Sequence, residues 1–324
     1  MKIDVSASQP HYLDHMLPIF EVLPERLKGT IHALETPCRQ PYRGRIAIVR
    51  YGKTYRGSKV DVQRLRNMSP MIYVEHGAGQ AYLGDPKTAT LPGYSGGGSR
   101  HSGIIGYVCP SDMVAERWRP APAVAAGCPK MDAWIGVEPR VAHSVCFAWH
   151  WDAGRNSLSP EMRSAWEHYR EALPAIVDRW TREGIVVFGH AHPRWGGALD
   201  STMDAAGMTV LDSDSQVFEN VAHLFVDNSS LGYEFALLGR PVTWLNAPWY
   251  RHHIEHGLRF WSHVPGLQVS DPADLLNETP DELRGIDEWS TEIMAQVYAP
   301  WSQLGRAAER AAEWITELVD SRYS

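Results

Sequence analysis

Val226-Asp227-Asn228-Ser229-Ser230-Leu231-Gly232-Tyr233-Glu234, followed at once by Phe235-Ala236-Leu237-Leu238-Gly239-Arg240-Pro241-Val242, is the stretch that decides how this chain is read. The apolar run from His223 to Asp227 reads as a buried strand that ends on an acid. Two small hydroxyl residues then open a helical pattern running from Ser229 to Gly239, and Pro241 to Asn246 begins another apolar run. A strand, a polar turn, a helix and a second strand make a βαβ unit, so the two strands lie parallel. Backbone N–H groups at such a helix start suit a phosphate or diphosphate. Ser229 and Ser230 add hydroxyl donors without crowding the position, and Glu234, one turn on, suits the hydrogen bonds of a ribose diol. The same residues also suit an ordinary N-cap.

Outward from this unit the alternation continues. Met1 to Val5, Arg45 to Tyr51, Met71 to Glu75, Ile104 to Cys109 and Val124 to Ala126 read as strands of a first half. Ser144 to Trp151, Ile185 to Gly189 and Thr209 to Leu211 join the two strands above in a second half, with a helical pattern over Pro160 to Glu183. The polar, proline-bearing stretch Trp134 to His143 is the expected boundary. It divides the chain into an N-terminal domain, 1–138, and a C-terminal domain, 139–324. Leu304, Ala308, Ala311, Ile315, Leu318 and Val319 line one face of a last helix, expected to pack across the domains. The expected class is α/β, two Rossmann-like domains with ligands at the carboxyl ends of the strands.

Three further motifs fall at strand ends. Tyr73-Val74-Glu75-His76-Gly77-Ala78-Gly79 places an imidazole beside two glycines, where backbone can approach a ligand and His76 can act as a general base toward a hydroxyl. Phe188-Gly189-His190-Ala191-His192-Pro193-Arg194 offers two imidazoles and a guanidinium to a departing phosphate. The Gly-His-Ala-His tetrapeptide also occurs among metal ligands of calcineurin-like phosphoesterases, but their other signature segments are absent and no metal site is expected. Asp212-Ser213-Asp214 reads as an N-cap for a helix near Gln216 rather than a metal signature. His252, His253 and His256 read as a solvated helix face.

Composition narrows the classes. With 31 Lys+Arg against 38 Asp+Glu the net charge is −7, and 44% hydrophobic residues make an ordinary globular chain. Disordered, collagenous and disulfide-stapled classes are excluded, as is nucleic-acid binding by bulk charge. Yet Thr36 to Arg66 holds nine basic residues and the single acid Asp61, a charge of +8 that leaves −15 elsewhere. Tyr42, Tyr51 and Tyr55 interleave with these cations. Arg50, Lys53, Tyr55 and Arg56 therefore suit a polyanionic acceptor, DNA or a phosphate-rich polymer; a solvated surface paired with acids elsewhere suits them equally. The four cysteines form no CxxC and no apolar run approaches the roughly 18 residues that span a bilayer, so a cytoplasmic protein is expected.

In order, Glu75-His76-Gly77, Gly127-Cys128-Pro129-Lys130-Met131-Asp132, His192-Pro193 and the Asp227 to Glu234 segment before Ala236-Leu237-Leu238-Gly239-Arg240-Pro241-Val242 resemble the CDP-glycerol glycerophosphotransferase family. They resemble, more widely, the GT-B nucleotide-sugar transferases and epimerases. The resemblance covers roughly residues 70 to 250. It implies two Rossmann-like domains, with the nucleotide donor held mainly by the second. His76 would be the acceptor-activating base and His192 would stand at the donor phosphates. Gly77, His190, Arg194, Asn228, Ser229 and Ser230 would contribute to the donor site, and Glu234 would hold the ribose. A lysine common after the His-Gly is replaced by the stretch Ala78 to Tyr82, and the usual aspartate is Glu234; these departures favour a sugar nucleotide over CDP-glycerol. The expected activity is metal-independent transfer from a nucleotide diphosphate donor to a hydroxyl, with no cofactor. A non-hydrolysing epimerase and an inactive nucleotide-binding protein are the alternatives.

Overall fold

A computed structural model describes residues 2–7, 10–33, 45–49, 70–75, 104–151, 163–250, 264–284, 294, 297–298 and 303–323. The strands are β1 (Lys2–Ala7), β2 (Lys28–Ala33), β3 (Arg45–Val49), β4 (Met71–Val74), β5 (Ile104–Cys109), β6 (Ala123–Ala125), β7 (Ser144–Trp149), β8 (Val186–Ala191), β9 (Thr209–Leu211), β10 (His223–Val226), β11 (Val242–Leu245) and β12 (Leu267–Val269). The α-helices are α1 (Leu17–Val22), α2 (Asp112–Arg117), α3 (Trp166–Tyr169), α4 (Leu173–Arg182), α5 (Asp200–Ala205), α6 (Asp214–Asn220), α7 (Leu231–Ala236), α8 (Pro272–Asn277) and α9 (Ala307–Tyr323). Among the described residues, no helix is long and apolar enough to cross a membrane.

The chain divides into two compact units: Met1–Ala78 with Leu91–Ile135 and Ala295–Ser324, and Gly79–Thr90 with Gly136–Met294. The first unit is built on a sheet of order β2-β1-β3-β4-β5-β6 in which every pairing is parallel. Its order reverses between β1 and β3. Ile3, Val5, Ile72, Val74 and Val108 pack with Ile19 of α1 and with Ala308, Ala311, Ile315 and Val319 of α9. The apolar stripe of α9, the last helix, is covered by the first sheet. Close approach explains the fit: a Cβ on Gly106 of β5 would lie 2.5 Å from Trp314 Cη2. The start of α9 is held by Asp132, whose carboxylate accepts from the amides of Ala307 at 3.0 Å and Ala308 at 2.7 Å.

The second unit carries the sheet β12-β11-β10-β7-β8-β9, again parallel throughout. Counted from its own first strand this is the order 3-2-1-4-5-6 of dinucleotide-binding sheets. The chain runs outward through β8 and β9, then crosses back to β10, so the topological switch lies between β7 and β10. Phe147, Trp149, Trp180 and Phe225 fill the layer beneath it, with the Phe147 and Trp180 rings stacked at 5.5 Å. Helix α7 lies close over β10 and β11 because residue 232 is glycine: a Cβ there would meet Trp244 at 2.5 Å and Val226 at 2.8 Å.

Arg240 shows why a cation sits in the turn before β11. Its Nη1 donates to the carbonyls of Phe218 at 2.6 Å and Val221 at 2.8 Å, and its Nη2 to that of Val137. Three carbonyls at the end of α6 and the start of the unit are thereby satisfied by one buried side chain.

Candidate functional site

Ligands of open parallel sheets sit beyond the carboxyl ends of the strands at the point where strand order reverses. In the second unit that point is framed by β7, β8 and β10. Register aligns them: Ala148 pairs with Val226 on one side and Trp149 with Ala191 on the other. His150 therefore emerges between Asn228 and His192.

Asp227 is the keystone. Fully buried, its carboxylate accepts from His150 N at 2.7 Å, Ser164 Oγ at 2.7 Å and Ala165 N at 2.9 Å. Ser164 Oγ in turn accepts from Trp166 N at 3.1 Å and so orients the start of α3. One acid thus joins the ends of β7 and β10 to the return segment at residues 163–165. After it the chain turns tightly, with Ser229 N donating to the Asp227 carbonyl at 2.7 Å. Ser229 Oγ accepts from Leu231 N at 3.2 Å, while Ser230 makes no side-chain cap bond and both serines stay half-buried. Asn228 is buried, and so is Glu234, at 2% exposure, on α7.

Across the switch, His192 accepts from Arg194 N through Nδ1 at 3.1 Å. In the neutral ring this places the proton on Nε2, leaving that atom a donor. The His192 and His150 rings meet edge to face at 5.6 Å. Arg194 lies over the Trp151 indole with Cζ 4.6 Å from the ring centroid, and Trp195 Nε1 donates to the His150 carbonyl at 3.0 Å. His190 has protein acceptors at both ring nitrogens, the Leu211 carbonyl at 2.9 Å and Asp214 Oδ1 at 3.0 Å. Its ring joins β8 to β9 and to α6, whose N-cap is Ser213 accepting from Gln216 N.

Of the expected site residues, His192, Arg194, Asn228, Ser229 and Ser230 thus share one sheet edge, Glu234 lies one helical turn behind it, and His190 lies within the layer. His76, Gly77, Arg50, Lys53, Tyr55 and Arg56 lie outside the described residues. What leads to them is described: Glu75 N donates to the Val108 carbonyl at 2.9 Å, and Glu75 Oε1 accepts from Trp118 Nε1 at 3.0 Å. The sequence reading missed His150 and Trp151 because it carried the strand on to Trp151; β7 ends at Trp149, and they are the first side chains past it. That position, rather than any motif, is their signal.

Similar folds were found among solved structures. The wall teichoic acid polymerase TagF, in a structure of a variant with CDPG, superposes over 100% of this chain and 90% of its own at a TM-score of 0.61 and 13% identity. A UDP-GlcNAc 2-epimerase from Neisseria meningitidis, bound to UDP-GlcNAc, covers 98% of this chain and 100% of its own at a TM-score of 0.52 and 11% identity. The fold is GT-B. No protein-family model matches the sequence, and no curated protein matches it. At these identities the likeness concerns the fold, and the GT-B sheet order of the second unit is where it coincides with the residues above.

Proposed function

We propose that the chain is a GT-B transferase that moves a sugar, or glycerol phosphate, from a nucleotide diphosphate donor to an acceptor hydroxyl. The observation that carries this reading is the placement of His192 and Arg194 after β8 and of Ser229 and Ser230 after β10, at the carboxyl ends of the two strands that flank β7. When the donor bond breaks, negative charge develops on the departing nucleotide, a nucleoside diphosphate when a sugar is transferred and a nucleoside monophosphate when glycerol phosphate is. A donor N–H on His192 and a guanidinium held over Trp151 meet that charge without a catalytic metal. His190, locked between Leu211 and Asp214, positions His192 two residues on. Asn228 and the turn at Ser229 take the diphosphate, and Glu234 takes the ribose hydroxyls.

On the acceptor side, His76 removes the hydroxyl proton as the new bond from that oxygen forms, and the bond from the transferred group to the departing nucleotide breaks. Gly77 leaves room for the ligand beside it. Arg50, Lys53, Tyr55 and Arg56 suit a polyanionic acceptor such as DNA with a hydroxylated base or a phosphate-rich polymer. The epimerase found among similar folds supports a second reading, reaction of the donor without any acceptor.

A thermal-shift screen of the full chain against UDP-, CDP-, GDP- and dTDP-linked donors tests the reading. Ligand binding to the folded state raises the melting temperature with concentration, so one nucleotide series should stand out. With that donor, His76→Ala should keep the shift and lose transfer; turnover near the wild-type rate would remove His76 from its role. Conversion of donor alone, followed by NMR, would favour the epimerase. No shift with any donor would overturn the nucleotide-dependent reading.

A further inference from the structure

Two guanidinium–indole pairs stand at the carboxyl edge of the second sheet, one on each side of the strand-order reversal. Arg194 over Trp151 belongs to the β8 side. Beyond β10, Arg163 lies over Trp249 with Cζ 4.2 Å from the ring centroid. No motif drew attention to this second pair, yet it is built into the frame of the switch. Tyr250 Oη donates to the Arg163 carbonyl at 2.8 Å, and the next two residues, Ser164 and Ala165, both donate to Asp227. The Arg163 backbone is therefore held beside the keystone carboxylate and beside the residues that leave β11.

Its side chain is half-buried, and its Nε is shielded from solvent with no hydrogen-bond partner among the described residues. The Nε1 of Trp249 is in the same condition. Buried N–H groups without acceptors are unfavourable and uncommon, and two on one stacked pair mark a place where an acceptor belongs. Stacking on the indole fixes the plane of the guanidinium and presents its edge, which matches two oxygens of one phosphate or carboxylate group. The geometry points to Arg163 as an oxyanion-binding residue that holds a phosphate of the donor from the β10 side of the switch, opposite Arg194. Naming that phosphate as the donor's rests on the proposed function; the acceptor chemistry rests on the Arg163–Trp249 pair alone.

Titration calorimetry on the full chain separates the two. The probes are inorganic pyrophosphate, UDP and CDP, and the phosphate-free nucleosides uridine and cytidine. The proteins are wild type, Arg163→Ala, Arg163→Lys and Trp249→Phe, each checked for a cooperative melt; if the alanine variant does not fold, the lysine variant carries the test. Arg163→Ala should weaken pyrophosphate and the matching nucleoside diphosphate about tenfold or more and leave the nucleoside unchanged. Arg163→Lys should recover little of this, because an ammonium has no planar edge to lay on the indole. Pyrophosphate affinity within about twofold of wild type in the Arg163 variants, equal losses for nucleoside and diphosphate, or no pyrophosphate binding by the wild type would each overturn the assignment. Nucleotide binding that ignores Arg163 would sink this inference and leave the donor site standing. Arg163-dependent pyrophosphate binding without any nucleotide binding would do the reverse.

Discussion

His223, the first residue of β10, is a histidine sealed from solvent. Thr243 donates its hydroxyl proton to the Leu283 carbonyl at 2.8 Å, so its oxygen accepts from His223 Nε2–H at 2.8 Å. Burial, with the Arg284 charge adding to it, lowers the His223 pKa to about 3 from the ordinary 6.5. Because the folded value is depressed, the neutral ring contributes fully to stability above the unfolded value. That contribution is lost as pH falls from about 6.5 toward 3, where the unfolded chain binds a proton that the folded chain refuses. The slope is about 1.4 kcal/mol per pH unit. His223→Gln should cost stability at pH 7 but lose about 2 kcal/mol less than wild type between pH 7 and pH 5. Chemical denaturation at the two pH values measures this, and parallel losses in both proteins would refute it. The sequence shows a histidine at a strand start; only the packing shows that it cannot be charged there.

Among the elements, α9 and the edge strands best separate what was legible from what was not. The apolar stripe Ala308, Ala311, Ile315 and Val319 predicts a packed helix, and the helix forms. Which sheet covers it depends on long-range contacts that no local period encodes. The central strands of both sheets were readable as continuous apolar runs because both faces are buried. β2, with the sequence Lys28-Gly29-Thr30-Ile31-His32-Ala33, and β12, with Leu267-Gln268-Val269, were not. Both are edge strands, with Ile31 43% and Leu267 41% exposed, so neither needs an unbroken apolar run. Asp132 was quoted only as the last letter of a motif, whereas it caps α9 across 175 residues of chain. Removing that acceptor leaves two amides at a helix start unpaired. Asp132→Ala should therefore lower stability by about 1–2 kcal/mol, with Asp132→Asn intermediate, as read from thermal or denaturant melts. Equal melting of Asp132→Ala and wild type would remove the cap from the account.

At the scale of the whole molecule, the parallel α/β class was legible, because each βαβ unit declares itself locally. Strand order was not, and with it the switch points, which is why His150 and Arg163 went unread. The order also gives the basic stretch a place. In the first unit the reversal falls between β1 and β3, and Arg50 is the residue that follows β3 at its carboxyl end. Six of the nine cations of Thr36 to Arg66, from Arg50 to Arg66, follow β3 in the sequence of an otherwise acidic chain. A solvated surface paired with distant acids predicts weak retention on any polyanion. An acceptor surface predicts retention that falls steeply with salt, since each phosphate contact contributes a slope of about −0.9 in log K against log salt on duplex DNA. Replacing Arg50, Lys53 and Arg56 together by alanine should then reduce that slope by up to about 3 and leave the donor-induced melting shift unchanged. Chromatography on immobilised DNA and on a teichoic-type polymer across a salt series measures both slopes. Wild-type protein that passes through both columns at low salt, or a triple variant with an unaltered slope, would exclude a polyanionic acceptor held by these residues.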